Sequence, residues 1–408
     1  MAEEKLPPIE IICDRPSQVY RVGEKAKFTI TTPEPGVQVE AVFTADGEAE
    51  LGRFNVTTPC TLKQTLPFPG FLRCTVNAPG FEEGLAGAAF DPGSIRSVLP
   101  EPEDFREFWQ NALAKQEKIP ADFKSEELLS HSDETFRVFL MECNTVNDCK
   151  CYAYLRLPRS GGPMPLMVYY EGAGVGMCQD HFKLHCATAD KWLPERIAQL
   201  SIFTHPYRPP VTRAEHEVIH EKFRDSFPNR SYWDMGLDQG PEHTFFYRGI
   251  LGAVRMINHV TAMPEVDPER IAYLGASQGG GFGVYLTALC PQINSASCGV
   301  PAFCDCGGHL AGHHQTTSRD QAFRKYHQVM RYFDPANFAL MIKVPVFMTC
   351  GFIDTCCQPS SIYAAFNNLQ GNKMMYHKPL HGHGGGPVEY TPLFWFWTAC
   401  HLGLCSKE

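Results

Sequence analysis

Along the chain the hydrophobic rhythm changes once. Through residues 9–92, short stretches at 9–13, 26–31, 38–44 and 72–77 alternate apolar and polar side chains, separated by Pro-Gly, Asp-Gly and other glycine-rich turns. Such alternation turns one face of each stretch to a core and the other to water, as in a half-buried strand. No helical period of comparable strength interrupts them, and their spacing is that of an immunoglobulin-like β-sandwich. From Pro100 the rhythm differs. Residues 102–116 place Phe105, Phe108, Trp109 and Leu113 on one stripe, which predicts an amphipathic helix. Beyond it, apolar runs at 151–157, 166–170, 200–203, 271–274, 297–300, 344–349 and 373–376 alternate with helical stretches. That pattern predicts a mostly parallel sheet covered by helices on both faces. A length of 408 residues exceeds one ordinary core, so the chain divides into a sandwich over 1–95 and an α/β unit over 96–408.

Residues 270–280 sharpen the second unit. A short apolar strand runs into Gly275-Ala276-Ser277-Gln278-Gly279 and then into a predicted helix over 282–289. This is the G-x-S-x-G nucleophile elbow of an α/β-hydrolase fold, in which a tight turn without Cβ atoms at the flanking glycines lifts the serine hydroxyl out of the sheet. A serine hydroxyl attacks poorly at neutral pH unless a histidine takes its proton and a carboxylate fixes that histidine. In this fold the three arrive in the order Ser, acid, His. Asp354 follows the apolar run 344–349 and Gly351, at a strand end, and is the expected acid; a helix cap is its structural alternative. Past the last strand stand His377, His381 and His383, and the surrounding glycines favour His383 as base, with His381 the alternative and His377 placed in the strand itself. The oxyanion needs backbone donors, for which the amides of Gln278 and Ala173 are the candidates, Ala173 lying in the small-residue loop 171–176.

At these residues the chain resembles the acetyl xylan esterase and cephalosporin C deacetylase family of α/β-hydrolases. The likeness runs from about Pro100 to the end, through Ser277-Gln278-Gly279-Gly280, Pro102-Glu103-Asp104-Phe105, Phe246-Tyr247-Arg248, Tyr332-Phe333-Asp334, Asn337-Phe338 and the stretch 351–367. It implies that Ser277 is the nucleophile, that His383 falls on the catalytic histidine, and that the acyl group is acetate on a carbohydrate. Two departures stand out: Gly384 follows the histidine where the family has glutamate, and 204–210 lacks the expected Arg-Gly-Gln. Ala173 stands where the family has an oxyanion-loop tyrosine.

Other patterns compete. His216-Glu217-Val218-Ile219-His220 fits H-E-x-x-H, which on a helix offers two imidazoles to zinc and a glutamate as base of a metallopeptidase, with Glu242 as a distant third ligand. The extended form of that motif fails at Phe223 and Ser226. His309, His313 and His314 form a second histidine group without a carboxylate at a matching helical offset. Trp233, Phe245, Phe246 and Tyr247 suit a sugar-stacking rim or a core. A binding protein that keeps the hydrolase scaffold without catalysis is the reading from a different class. Net charge of −9 without long charged runs argues against nucleic acid and against an anionic membrane. No run of eighteen apolar residues and no basic start followed by an apolar stretch occurs, and the seventeen cysteines read as mostly buried free thiols, so a cytoplasmic location is expected. The expected partner is a small-molecule or oligosaccharide ester; a homo-oligomer stays open, and the chemistry requires no metal or organic cofactor.

Overall fold

The computed structural model describes residues 6–159, 161–174, 176–193, 197–225, 231–312, 321–385 and 390–405. The first eight strands are Glu10–Cys13 (β1), Val19–Tyr20 (β2), Ala26–Thr31 (β3), Gln38–Ala45 (β4), Ala49–Thr57 (β5), Cys60–Gln64 (β6), Gly70–Asn77 (β7) and Gly84–Phe90 (β8). They form two sheets, ordered β1-β3-β6 and β2-β8-β7-β4-β5. Phe28 and Ile30 from one sheet and Phe43, Leu72, Val76 and Phe90 from the other fill a shared core. Each strand contributes alternate residues, as its two-residue period dictates; β3 alternates buried and exposed positions along its length.

A third sheet follows, made of Lys124–Glu127 (β9), Phe136–Asn144 (β10), Lys150–Pro158 (β11), Met164–Tyr170 (β12), Ala198–Ile202 (β13), Val266–Ala276 (β14), Ser295–Gly299 (β15), Val346–Gly351 (β16) and Lys373–Lys378 (β17). Its order is β17-β16-β15-β14-β12-β13-β11-β10-β9. Pairing is parallel from β13 through β17 and antiparallel across β9, β10 and β11 and between β11 and β13. The helices are Phe105–Glu117 (α1), Gln179–Trp192 (α2), Arg213–Asp225 (α3), Phe245–Thr261 (α4), Gln278–Leu289 (α5), Gln321–Lys325 (α6), His327–Met330 (α7), Pro335–Ala339 (α8), Pro359–Asn368 (α9) and Tyr390–His401 (α10).

The pleat assigns the helices to faces. On β12, Leu166, Val168 and Tyr170 join the core shared with α1, α4, α5, α8 and α9, whereas Met167 points to the other face, under α2 and α10. Burial on both sides explains why β12, the end of β14 from Ile271 to Leu274 and the start of β16 from Val346 to Met348 read as apolar runs rather than as alternation. Among the described residues, no helix is long and apolar enough to cross a membrane.

One open alternative closes here and one reading needs correction. Phe245, Phe246 and Tyr247 are at most 1 % exposed and belong to the core, because all three lie on the buried first turn of α4; they form no rim. Cys400 and Cys405, expected to be free, are joined by a disulfide, since the turn after α10 brings their Cα atoms to 4.8 Å.

Candidate active site

β14 ends at Ala276, and Ser277 makes the turn into α5 with φ 58° and ψ −122°. Such a conformation costs roughly 1–3 kcal/mol for a residue with a side chain and persists only where its surroundings enforce it. Here the enforcement is steric and hydrogen-bonded. A Cβ on Gly275 would fall 2.8 Å from the Gly279 carbonyl oxygen, and one on Gly279 would fall 2.1 Å from that of Tyr170. The Ser277 amide donates to the Gly299 carbonyl at 2.9 Å, and its own carbonyl accepts from Gly281 and Ala302 at 3.0 and 2.9 Å. The serine side chain is thus fixed at the C-terminal end of the sheet.

The neighbouring strand ends supply its partners. Asp354 follows β16 and is fully buried. Its Oδ1 accepts the amides of Cys356 and Cys357 at 2.8 and 2.9 Å, which leaves Oδ2 to meet His383 Nδ1 at 3.0 Å. His383 Nε2 in turn lies 3.0 Å from Ser277 Oγ. The hydrogen bond to Asp354 outweighs partial burial and raises the imidazole above its ordinary value of 6.5. Glycine lets the loop after β17 reach this position: a Cβ on Gly351 would fall within 2.6 Å of the carbonyl oxygens of both His381 and Gly382. Lys378, buried by the loop, donates from Nζ to the Gly385 carbonyl at 3.1 Å. His381 occupies the same loop and ties it down through its amide bond to the Lys378 carbonyl; the bonds to Ser277 and Asp354 are made by His383. His377 stays in β17, hydrogen-bonded to Tyr363.

On the other side of Ser277 lies the loop after β12. Gln278 is the first residue of α5, so its amide has no acceptor within the helix and faces outward at the helix N-terminus. A Cβ on Gly172 would fall 3.9 Å from the Ala276 carbonyl oxygen, so this loop runs beside the elbow and carries the exposed Ala173 there. The Gly174 amide is occupied by Tyr232 Oη at 3.3 Å and its carbonyl meets His205 Nε2 at 2.8 Å.

Sequence reasoning missed what holds this loop. The Gln278 side chain, wholly buried, accepts from Tyr232 Oη and Trp233 Nε1 at 2.7 Å each and donates to Thr204 Oγ1 at 3.1 Å and the Gly172 carbonyl at 3.5 Å. Trp233, a candidate rim residue, is therefore a brace. Thr204 and His205 belong to the stretch that lacks Arg-Gly-Gln; Thr204 Oγ1 accepts from the Gln278 side chain and His205 Nε2 meets the Gly174 carbonyl. Beneath them Glu171 is buried, accepts the Thr204 amide at 3.2 Å, and is pushed up to about 8 by desolvation.

The H-E-x-x-H residues do lie on a helix, α3, but not as a metal grip. His216 Nε2 and His220 Nδ1 both lie against Tyr207 Oη, at 3.2 and 3.3 Å, and Glu217 is exposed and paired with Arg213. Glu242 is paired with Lys115. His309 stacks edge-on against His327, and His313 and His314 lie outside the described residues. Among the described residues, the group of His, Cys, Asp and Glu ligand atoms close enough to share an ion is Cys356, Cys357 and His383, within 4.8 Å of one another. Both ring nitrogens of His383 are already engaged by Asp354 and Ser277, so that group reads as part of the relay.

Comparison with known proteins gives the geometry its context. The profile described as acetyl xylan esterase (AXE1) matches residues 94–399. The chain belongs to the acetyl xylan esterase family. It is thereby a carboxylic ester hydrolase. Acetyl esterase Axe7A of Xylanibacter ruminicola is 24 % identical over 391 residues, spanning 92 % of this chain and 87 % of the relative, so the match to Axe7A includes most of the N-terminal sandwich. The crystal structure of acetyl xylan esterase 1 from Thermoanaerobacterium sp. superposes with a TM-score of 0.60 at 21 % identity, over 77 % of this chain and 98 % of that one. The acetyl xylan esterase from Paenibacillus sp. R4 gives 0.61 at 22 % identity, over 75 % and 97 %. These neighbours are α/β-hydrolase-type esterases and share the fold of the family unit.

Proposed function

We propose that this family member deacetylates an acetylated carbohydrate through a Ser277-His383-Asp354 triad. The observation that carries the reading is the continuous hydrogen-bonded line from Asp354 Oδ2 through His383 to Ser277 Oγ, each link 3.0 Å, at the ends of three parallel strands. Family membership and the acetyl esterases among its relatives support the acyl group and the carbohydrate.

In this mechanism Ser277 Oγ attacks the ester carbonyl carbon while His383 Nε2 takes its proton. The negative oxygen of the tetrahedral intermediate accepts from the amides of Gln278 and Ala173, which are aimed before the reaction begins and need no reorganisation. Asp354, anchored by two backbone amides, holds the hydrogen on Nδ1 and stabilises the imidazolium. His383 then protonates the departing sugar alcohol, leaving acetyl-Ser277. Water repeats the sequence and frees acetate. The intact relay favours this reading over a scaffold that only binds, since a binding site has no use for a strained serine facing a raised histidine. The immunoglobulin-like reading of residues 1–95 rests on two sheets around one core.

The test is labelling with a small fluorophosphonate during p-nitrophenyl acetate turnover. Modification of Ser277, located by peptide mass spectrometry and proportional to lost activity, is expected. Complete inactivation with Ser277 unmodified would refute the assignment.

A further inference from the structure

Strand β7 is buried on both faces, unlike most strands of the sandwich. Leu72, Cys74 and Val76 fill the sandwich core, while Phe71 and Arg73, on the alternate positions, point into the ester-hydrolysing unit. Arg73 is 4 % exposed. Its Nη2 donates to the backbone carbonyl of Asp354 at 2.7 Å, to Gln358 Oε1 at 2.9 Å and to Asp46 Oδ1 at 3.3 Å. Asp46, fully buried at the end of β4, turns its other oxygen to the amide and hydroxyl of Ser360, at 3.0 and 2.5 Å.

We propose that the sandwich is a positioning element of the active site, in which Arg73 and Asp46 clamp the turn that carries the catalytic acid. The proposal rests on the triad reading. The turn runs from Asp354 to the first residues of α9, and side chains of the sandwich hold both of its ends: Arg73 the backbone of the acid itself, Asp46 the helix N-terminus. There the carboxylate meets an amide that has no partner within the helix and a favourable dipole. The approach to the turn is held as well. Phe71 packs edge-on against Phe352 at 5.1 Å, and a Cβ on Gly87 would fall 2.5 Å from the Phe352 carbonyl oxygen, so β8 and this loop touch backbone to backbone. On the far side of Asp354, Oδ1 depends on amides of the same turn. A turn that shifts therefore carries the acid, and with it His383, off the line to Ser277. A buried guanidinium nitrogen shared among three acceptors, from Asp354, Gln358 and Asp46, holds those groups at set separations, which is the kind of support that fixing a carboxylate to within a fraction of an ångström requires.

Arg73→Met and Arg73→Lys of the full chain decide the matter, with kcat for p-nitrophenyl acetate referred to active sites titrated by a fluorophosphonate. A role in stability alone lowers the number of titratable sites and the melting temperature but leaves the turnover of each site untouched. Positioning lowers the turnover itself. The expected result is a kcat per site reduced roughly 10- to 100-fold in Arg73→Met at similar KM, with Arg73→Lys between it and the wild type. Wild-type kcat per site in folded Arg73→Met overturns the proposal. Where Arg73→Met does not fold, Arg73→Lys decides alone, because the lysine ammonium ends about one bond short of the Nη2 position on which the three acceptors converge: a several-fold loss supports the clamp and an unchanged kcat overturns it. Arg53→Met, which removes an exposed ion pair with Glu40 and Glu50 on the sandwich, is the control and keeps the wild-type rate. Ser277→Ala, run alongside, separates the two claims: turnover in that variant defeats the triad itself, whereas an inactive Ser277→Ala beside fully active Arg73 variants defeats the clamp only.

Discussion

Asp354→Asn is nearly isosteric, and the structure dictates how the new amide must sit. Oδ1 accepts two backbone amides, from Cys356 and Cys357, and is fully buried. An amide turned with its NH2 group toward them would leave two buried donors facing donors, at about 1–3 kcal/mol each. Even the lower bound, about 2 kcal/mol for the pair, favours the opposite orientation roughly 30-fold. The NH2 group therefore faces His383 and donates to Nδ1, which forces the imidazole hydrogen onto Nε2. That nitrogen then points a hydrogen at Ser277 Oγ and cannot take its proton. A wrong tautomer of this kind lowers kcat on the order of 10⁴-fold, which corresponds to about 5.4 kcal/mol of lost transition-state stabilisation. Steady-state p-nitrophenyl acetate hydrolysis measures it, with circular dichroism to check the fold. A folded Asp354→Asn variant whose kcat lies within tenfold of the wild type would refute the reasoning, because the acid would then not govern the histidine.

Further expectations follow from the same site. His383 must be neutral to act as base and is raised above 6.5 by Asp354, so kcat/KM falls as pH drops through that raised value; a profile flat from pH 8 to pH 5 contradicts this. Glu171 keeps its proton in the folded chain up to about pH 8, whereas the unfolded chain releases it near 4.5, so between those values the folded state binds more protons and stability declines as pH rises. The difference in melting temperature between Glu171→Gln and the wild type should therefore shift in the variant's favour from pH 5 to pH 8, and a constant difference rules the effect out. Cys356 is exposed beside His383, and a hydrogen bond from Cys357 lowers its thiol to about 6. Iodoacetamide at pH 7.5 should inactivate the enzyme by blocking the approach to His383, and Cys356→Ser should resist; equal inactivation of both would place the reactive group elsewhere.

The parts of the fold and site that were legible share a physical character. The elbow could be read because the turn itself demands glycine: a Cβ on Gly275 would meet the Gly279 carbonyl oxygen, only four residues on. The choice of His383 over His381 followed from glycines on both sides of it, and strands such as β11, β12 and β16 from burial on both faces. What escaped depends on distant partners or on small residues. β8, with the sequence Gly-Leu-Ala-Gly-Ala-Ala-Phe, carries almost no apolar bulk, because Gly87 must admit the Phe352 backbone, and so it gives no strand signal. The Gln278 brace draws Thr204, Tyr232 and Trp233 from segments 45 to 74 residues away, and Arg73 reaches Asp354 across 281 residues. Nothing in the periodicity of either segment announces such a meeting. The H-E-x-x-H pattern misled for the complementary reason: a four-residue spacing on a helix aligns two imidazoles whatever they serve, and here they serve Tyr207.

The most direct measurement is acetate release from acetylated xylo-oligosaccharides by the wild type, with and without excess EDTA, and by Ser277→Ala. The account predicts release that EDTA leaves unchanged and that drops by at least about 10³-fold in the folded variant. Wild-type release by Ser277→Ala, or loss of release on chelation, would contradict it.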